Sequence, residues 1–335
     1  MVNLKLDNES PESIDKRKRV LEAKFYSDLR SLFNIMASDT ENLYKSDSFV
    51  DAKDIAKNYR AEFLFLIRKI IRRSIKEFGF VGREDLQKKH NLIFDIESKK
   101  KLLDLNLKQS IEVIDTDLDD KVEDINKEFN KEATLFIANE SEKQVDLISK
   151  TNEKEINKAV SFGFAAFGAL ILNKEKERNK LIDQLTRSDD NSERLKLERR
   201  IRNSDKVIAD LNKNKSIIVA ENLRKKIKDD AIARSELISS QNVGLAEAWS
   251  REKEAEFIDN AGLITANGRL IATQKKWIAT LDSVTRTAHR AADGQIVSIQ
   301  DKFIVDGESL KFPRDPAGSA KNIINCRCVV TYSII

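Results

Sequence analysis

Two cysteines and a histidine are the residues of this chain whose types and spacing could do chemistry. Cys326 and Cys328 are the only cysteines in the sequence, and His289 is one of two histidines. Residues i and i+2 of a β-strand point to the same side, so both sulfurs would face one way. With His289 they offer three soft ligands, and a carboxylate such as Asp293 could complete a tetrahedral zinc site.

The alternative for these residues is purely structural. Free cysteines are often small buried hydrophobes, and His289 would then be a hydrogen-bonded core residue. A Cys–His nucleophile pair is a further alternative, but no third, orienting group is evident. We favour the structural interpretation, so the sequence predicts no catalytic, cofactor-binding or metal-binding residue. Asn325 and Arg327 alternate with the cysteines, and we expect them to face the opposite side, where they could bind a neighbouring subunit.

The elements that must position these residues are short strands and tight turns. Asp293-Gly294 and Asp306-Gly307 are strong signals for tight turns, and Trp277 is expected in the core. The sequence therefore predicts a small α+β domain over residues 231–335, with a helix that carries Ala231–Leu237 at its start. The predicted strands are Leu263–Thr265, Leu270–Thr273, Trp277–Leu281, Gln295–Ile299, Phe303–Val305, Leu310–Phe312 and Cys326–Tyr332.

The rest of the chain predicts long helices. Of 335 residues, 35% are charged and 40% are hydrophobic, a combination that long helices with solvated faces satisfy. Proline occurs only at Pro11, Pro313 and Pro316, so the strongest helix breaker is absent from most of the chain. We predict a mostly α chain with a helical region over residues 1–85, long helical hairpin or coiled-coil arms over residues 86–230, and then the small domain with short antiparallel strands.

The N-terminal region is predicted to contain two amphipathic helices. Apolar residues recur every three or four positions from Ile14 to Ala37, and Ser38-Asp39-Thr40 is predicted to break this helix. A second helix is predicted over Phe49–Phe78. Gly79 and Gly82 are expected to stop it.

Heptad-like stripes of apolar residues indicate the arms. One stripe runs from Leu107 to Phe136, with one extra residue near positions 118–122, and the other runs from Leu197 to Ile218. The polar string Arg187–Ser192 is predicted to be a turn between helices. We expect antiparallel helix pairing within the chain. A coiled coil between chains, and hence a homo-oligomer, is the alternative that periodicity cannot separate from it.

An uncharged segment, Ala159–Leu172, lies between the arms. A membrane-spanning helix needs about 20 apolar residues, so this segment is short. Its interspersed small residues suit close contact between helices. We favour a buried helix segment or interaction patch over a segment that meets a membrane.

The order and spacing of the C-terminal residues resemble a known family. The pattern is similar to the phage head morphogenesis domain of the Mu F-like minor head protein family, over about residues 215–335. One difference is Ser235, where the family usually has Thr. The residues that carry the resemblance are Ile232-Ala-Arg234-Ser-Glu236, Trp277, Asp282, Arg286-x-x-His289, Asp293-Gly294-Gln295, Phe303, Gly307-x-x-Leu310, Pro313-x-Asp315-Pro316 and Asn325-Cys-Arg-Cys328.

The resemblance implies a minor capsid component of a bacteriophage. Such a protein is present in few copies at the portal vertex inside the head, and it contributes to head assembly and to genome packaging or ejection. Its implied partners are the portal protein and the capsid interior, with no enzymatic activity and no cofactor. The N-terminus lacks an apolar core after a basic stretch, so no signal peptide is expected. Synthesis in the host cytoplasm and location in the virion follow as expectations.

Two other classes of function compete with this one. A phage-carried effector enzyme, such as an ADP-ribosyltransferase, would need a Glu-x-Glu motif, and none follows residue 257; Glu254-Ala-Glu256 lies in a predicted charged helix. A DNA-binding coiled-coil protein would need a basic surface. The net charge is +4, and basic residues outnumber acidic ones in residues 261–335 and 60–89. This excess allows only weak, salt-dependent phosphate contacts, so we favour the structural role.

Overall fold

The computed structural model describes residues 4–5, 11–46, 51–79, 107–260 and 273–334. Most of these residues are helical. The predicted mostly α architecture with a C-terminal domain of short antiparallel strands is confirmed. The helices are α1 (Pro11–Lys45), α2 (Ala52–Asn58), α3 (Arg60–Phe78), α4 (Leu107–Arg187), α5 (Asn191–Lys213), α6 (Lys215–Asn260), α7 (Thr287–Ala292) and α8 (Ala320–Ile323).

The strands of the described residues form two antiparallel sheets. They are β1 (Leu4–Lys5), β2 (Thr273–Ile278), β3 (Ile296–Ser298), β4 (Phe303–Val305), β5 (Glu308–Leu310) and β6 (Val329–Ile334). The larger sheet has the strand order β1–β6–β2–β3, and β4 pairs with β5. Within the larger sheet, Trp277 lies opposite Val330 and Lys275 lies opposite both Val297 and Tyr332.

Helix α1 does not end where the sequence predicts. It continues through Ser38-Asp39-Thr40, so the predicted break is wrong. Both hydroxyl groups donate hydrogen bonds to carbonyl oxygens four residues earlier in the same helix. These bonds satisfy the hydroxyls inside the helix, so they do not compete for the backbone and do not end it.

The predicted second helix, Phe49–Phe78, is two helices. Tyr59 separates α2 from α3, because its φ of −92° and ψ of 2° leave the helical region. The predicted end is confirmed: α3 stops at Phe78 and Gly79 follows it. Gly82 lies outside the described residues.

Helices α4 and α5 form a hairpin, but its pairing differs from the prediction, because Phe129 and Phe136 of the first apolar stripe pack on Trp249 of α6 instead. The turn between them is confirmed, because α4 ends at Arg187 and the carboxylate of Asp190 accepts a hydrogen bond of 2.9 Å from the N–H of Ser192 at the start of α5. Arg178 of α4 lies 2.5 Å from Asp205 of α5. Antiparallel contact within the chain is therefore present at this end. The beginning of the predicted arm, residues 86–106, lies outside the described residues.

The apolar segment 159–172 lies within α4 and is helical throughout. One face packs closely on α6, since a Cβ atom at Gly163 would lie 2.8 Å from a carbonyl oxygen of that helix. The other face is open: Phe162 and Phe164 are 46% and 47% exposed. This face is not buried, so the alternative expectation of an interaction patch stays a prediction there. Among the described helices, residues Glu123–Arg187 of α4 have the length and composition to cross a membrane. Of the most apolar stretch within these residues, 22% is buried.

The ends of the C-terminal strands differ from the prediction. β2 begins at Thr273 rather than Trp277, β5 ends at Leu310 instead of beginning there, and β6 begins after Cys328. Pairing sets these ends. The two-residue turn Asp306-Gly307, with φ values of 52° and 75°, starts β5 immediately after it, and β6 extends only as far as β2 opposes it. The other predicted strands before Thr273 lie outside the described residues.

The fold divides into two compact units. The first consists of Met1–Ser27, Phe65–Lys143 and Ser235–Ile335, and the second of Asp28–Leu64 and Gln144–Arg234. Both sheets belong to the first unit. The division at residues 85 and 230 that the sequence suggests stays a prediction.

Candidate functional site

The C-terminal domain brings the imidazole and both sulfurs together. His289 lies on α7, which packs against β4. Cys326 and Cys328 lie in a segment between α8 and β6, so the prediction that they belong to a strand is wrong. The left-handed backbone of Asn325, with a φ of 55°, turns the chain before this segment. The predicted alternation still holds: the cysteines are buried, while Asn325 and Arg327 are exposed.

The two sulfurs converge on one nitrogen atom. Nδ1 of His289 lies 3.7 Å from Sγ of Cys326 and 3.4 Å from Sγ of Cys328. The ligand atoms of the three residues all lie within 4.8 Å of one another. Solvent reaches only 1% of Cys326, 3% of Cys328 and 2% of His289. The residues that the sequence singles out as soft ligands therefore form one buried cluster.

Aromatic side chains pack beside this cluster. The Trp277 ring meets the His289 ring edge to face, with 6.1 Å between their centroids, and it packs in the same way on Phe303 at 5.3 Å. Trp277 is fully buried, as predicted. Nε2 of His289 has no hydrogen-bond partner among the described residues. A catalytic Cys–His pair needs an orienting group at this nitrogen and access for a substrate, and the described residues provide neither.

The two thiols form a hydrogen bond with each other, and each changes the pKa of the other. A hydrogen bond from Cys328 lowers the pKa of Cys326, helped by the charge of Arg314, even though burial opposes this. The hydrogen bond to Cys326 and burial raise the pKa of Cys328. The pair therefore favours one thiolate and one thiol. Arg314 is itself buried, has a left-handed φ of 68°, and has no hydrogen-bond partner for Nε or Nη1 among the described residues.

Asp293 does not complete the cluster, contrary to its suggested place as a fourth ligand. Its Oδ1 atom accepts a hydrogen bond of 2.8 Å from the backbone N–H of Ala279. This bond ties the turn after α7 to the end of β2, so the carboxylate has a structural task. Arg327, on the outer side, contacts the Asp282 carboxylate at 2.5 and 2.6 Å.

Sequence reasoning missed a group of buried charges beside the cluster. Lys275 on β2 donates to Glu252 on α6, and the Tyr332 hydroxyl donates to the same carboxylate at 3.0 Å. One turn earlier on α6, Glu247 contacts Arg251 at 3.0 Å and Lys18 at 3.7 Å. A signal was present, because Lys275 is two residues from the buried Trp277 on a strand and so shares its face.

Comparison with known proteins gives this geometry a context. Residues 195–331 match the family described as Phage Mu protein F like protein. The match confirms the resemblance drawn from the C-terminal motifs, and it associates this part of the chain with bacteriophage head proteins.

A curated relative matches over a shorter stretch. The NAD(+)--arginine ADP-ribosyltransferase EFV of Enterococcus faecalis (strain ATCC 700802 / V583) is 34% identical over 97 residues, which is 29% of this chain and 17% of that protein. The chain thus spans less than a fifth of the length of this relative. No solved structure matches the chain.

Proposed function

We propose that this chain, whose residues 195–331 match the Phage Mu protein F like family, is a minor head protein held at the portal vertex inside a bacteriophage capsid. The family match is the observation that carries the proposal. In this role the C-terminal domain docks on a neighbouring head protein, and the helical arms contact the portal or the inner capsid surface. The protein acts in head assembly and in genome packaging or ejection.

The construction of the C-terminal domain supports docking rather than turnover. Its thiols and imidazole are buried, and several of its charges form ion pairs within the first compact unit, such as those of Lys311 with Glu256 at 2.8 Å and of Lys321 with Asp306 at 2.6 Å. A domain that is tied together in this way keeps one surface shape. A constant surface shape suits an assembly contact, because little freedom is lost on binding.

The exposed hairpin of α4 and α5 supports a partner for the arms. Leu197 is the only residue of α5 that is buried. Leu195 and Val207 of α5 are 65% and 44% exposed, and Leu172 of α4 is 50% exposed. Apolar side chains left in water on a thin helical arm gain free energy when a second surface covers them. The portal protein is the partner we propose, and a second copy of this chain is the alternative occupant.

The charges of the same hairpin allow a weak contact with packaged DNA. Exposed basic residues of α5 include Arg199, Arg200 and Lys206, and Arg202 is only loosely paired, 3.8 Å from Glu198. A few phosphate contacts give weak affinity, which decreases further as salt rises. We expect nonspecific binding of double-stranded DNA that is lost between roughly 50 and 200 mM salt.

The partial relative raises an enzymatic alternative, which the described residues do not favour. Glu254 and Glu256 form the Glu-x-Glu sequence nearest the strands, but both lie in α6 and are 8% exposed. Glu256 is bound by Lys253 and Lys311 at 2.6 and 2.8 Å. A catalytic carboxylate must reach its substrate, but both of these carboxylates are buried, and that of Glu256 is held in ion pairs. Hydrolysis of NAD by the purified chain would argue for the enzyme instead.

The portal association can be tested with the full chain. We expect it to co-purify with the portal protein of the same phage, and to be present in purified virions at a few copies per portal ring. The double variant Leu195→Asp with Val207→Asp should weaken the portal complex at least tenfold, since each change puts a charge into the proposed apolar contact. The control Glu193→Gln with Lys196→Gln changes exposed polar residues of the same helix and should bind normally.

One result would contradict the role in the phage head, and another would contradict only the proposed contact through the hairpin. Virions that lack the chain would remove the head-protein role altogether. Virions that contain it, together with a portal complex that the double variant does not weaken, would leave the role intact and show that the hairpin is not the contact.

A further inference from the structure

We propose that His289, Cys326 and Cys328 form a binding site for a single zinc ion. The sequence alone favours two inert thiols and a core histidine, because spacing cannot show whether His289 reaches the cysteines. The fold adds this information by placing all three ligand atoms within 4.8 Å of one another. The site is independent of the proposed role in the phage head.

The distances between the ligand atoms match tetrahedral zinc coordination. Zinc binds thiolate sulfur at about 2.3 Å and imidazole nitrogen at about 2.0–2.1 Å. Two such ligands at a tetrahedral angle lie about 3.5 Å apart. The observed separations from Nδ1 of His289 are 3.7 Å to Cys326 and 3.4 Å to Cys328. One ion at the centre of the cluster therefore reaches all three atoms with only small side-chain movements.

Hydrogen bonding alone does not account for this arrangement of His289 and the two cysteines. A neutral imidazole has one nitrogen that accepts and one that donates. Two thiols nevertheless approach the same atom, Nδ1, while Nε2 has no hydrogen-bond partner among the described residues. Convergence of two sulfurs on one nitrogen is what a shared metal ion requires, whereas a core histidine would gain more from a partner at each nitrogen.

The surrounding charges suit a cation held by thiolates. The buried guanidinium of Arg314 interacts electrostatically with both sulfurs, and zinc binds cysteine as the thiolate. Two thiolates neutralise the charge of the ion. The buried carboxylate of Glu247 also interacts with Arg314, so the guanidinium keeps a counter-charge when zinc occupies the site.

The ion would hold together parts of the domain that are far apart in sequence. His289 is 37 residues from Cys326 and 39 from Cys328. A bond through zinc would fasten α7 to the segment that enters β6, and zinc would stabilise the folded chain, because the unfolded chain does not hold the three ligands together. The described residues supply three ligands, since Asp293 is bound to Ala279. A water molecule would take the fourth position.

The test is metal binding by the full-length chain under reducing conditions. The chain is stripped with a chelator and titrated with zinc, and we expect one ion per chain. Cobalt(II) serves as the spectroscopic probe, because sulfur ligands produce an intense near-ultraviolet charge-transfer band. Cys326→Ser and Cys328→Ser should each reduce this band to roughly half. His289→Gln should keep the band and weaken zinc affinity by at least tenfold.

A matched control and a negative outcome make the test decisive. Asp293→Asn keeps an oxygen that can accept from Ala279, so it should bind zinc as the wild type does; loss of zinc there would overturn the assignment of three ligands. A folded wild-type chain that takes up no zinc, or whose cobalt complex lacks the sulfur band, would overturn the site. The wild-type spectrum decides this even where a cysteine variant fails to fold.

Discussion

The ammonium group of Lys275 lies 2.5 Å from the carboxylate of Glu252, and the two side chains are 0% and 1% exposed. They come from different elements, β2 and α6, and Tyr332 on β6 donates to the same carboxylate. The pair thus joins the helix to the centre of the larger sheet. Burial is the main influence on Glu252, and it raises the pKa of this carboxyl from its usual 4.5 to about 7, although Lys275 acts in the opposite direction.

This shift predicts how stability depends on pH. Between about pH 4.5 and 7 the unfolded chain loses the Glu252 proton while the folded chain keeps it. The unfolded state then binds fewer protons, so the free energy of unfolding falls as pH rises, by up to about 3 kcal/mol from this group. Glu252→Gln cannot titrate and should remove this part of the pH dependence. Urea unfolding at several pH values, followed by tryptophan fluorescence, measures it.

The control for this prediction lies on the same helix. Glu236 is exposed, so Glu236→Gln should keep the wild-type pH dependence. Trp249 and Trp277 belong to the same compact unit as Glu252, so their fluorescence reports the relevant unfolding step. An unchanged pH dependence in Glu252→Gln would show that other groups determine it.

A second prediction contrasts two glycines of α4. A Cβ atom at Gly163 would lie 2.8 Å from the carbonyl oxygen of Val219, whereas at Gly168 it would meet nothing within 4 Å. Alanine is a better helix former than glycine by about 1 kcal/mol. Gly168→Ala should therefore stabilise the chain by up to this amount. Gly163→Ala should destabilise it by about 1–3 kcal/mol, since α6 must move away.

Thermal unfolding followed by circular dichroism compares these variants directly. The two positions lie in one helix and receive the same substitution, so a difference in sign reports packing rather than helix propensity. Equal stabilisation by both substitutions would mean that α4 and α6 do not approach closely at Gly163.

The turn between β4 and β5 gives a third prediction. Asp306 and Gly307 both have positive φ, and this left-handed conformation costs a residue with a Cβ atom roughly 1–2 kcal/mol. Gly307→Ala should lower the free energy of unfolding by about that amount. Asp306→Asn should change it by less than about 1 kcal/mol, because Asn tolerates this conformation and the pair with Lys321 that it weakens is exposed. Urea unfolding of both variants checks this, and an Ala variant as stable as the wild type would contradict it.

Local signals in the sequence predict local geometry well in this chain. The Asp306-Gly307 turn, the end of α3 before Gly79 and the alternation of Cys326 and Cys328 with exposed neighbours all follow from residue type and spacing. Local signals fail at Ser38 and Thr40, where the hydroxyl groups donate hydrogen bonds within the helix and do not break it. The choice between these two outcomes depends on which side-chain rotamer the packing allows.

The site itself could be predicted only in part. The sequence identifies the soft ligands, but contact between His289 and the cysteines depends on how α7 packs against the segment before β6, which no local pattern encodes. Asp293 looked like a ligand because of its residue type, yet it caps the end of β2. The pairing of Lys275 with Glu252 was equally hidden, since a buried lysine is stable only when a distant element supplies a carboxylate.

The last prediction concerns Glu247, which is 2% exposed and contacts Lys18 and Arg251, themselves each 5% exposed. Burial pushes its pKa upward, but these cations outweigh burial and hold the pKa below its usual 4.5. Its stabilising effect is therefore present above about pH 4.5 and is lost as pH falls further. Glu247→Gln leaves buried cations without their counter-charge and should cost about 3–5 kcal/mol at neutral pH.

Glu128→Gln is the exposed control for this prediction. It removes a pair with Lys131, 2.9 Å long, and should cost less than about 1 kcal/mol. Urea unfolding followed by tryptophan fluorescence measures both, and similar losses in the two variants would show that burial adds nothing to the Glu247 contacts.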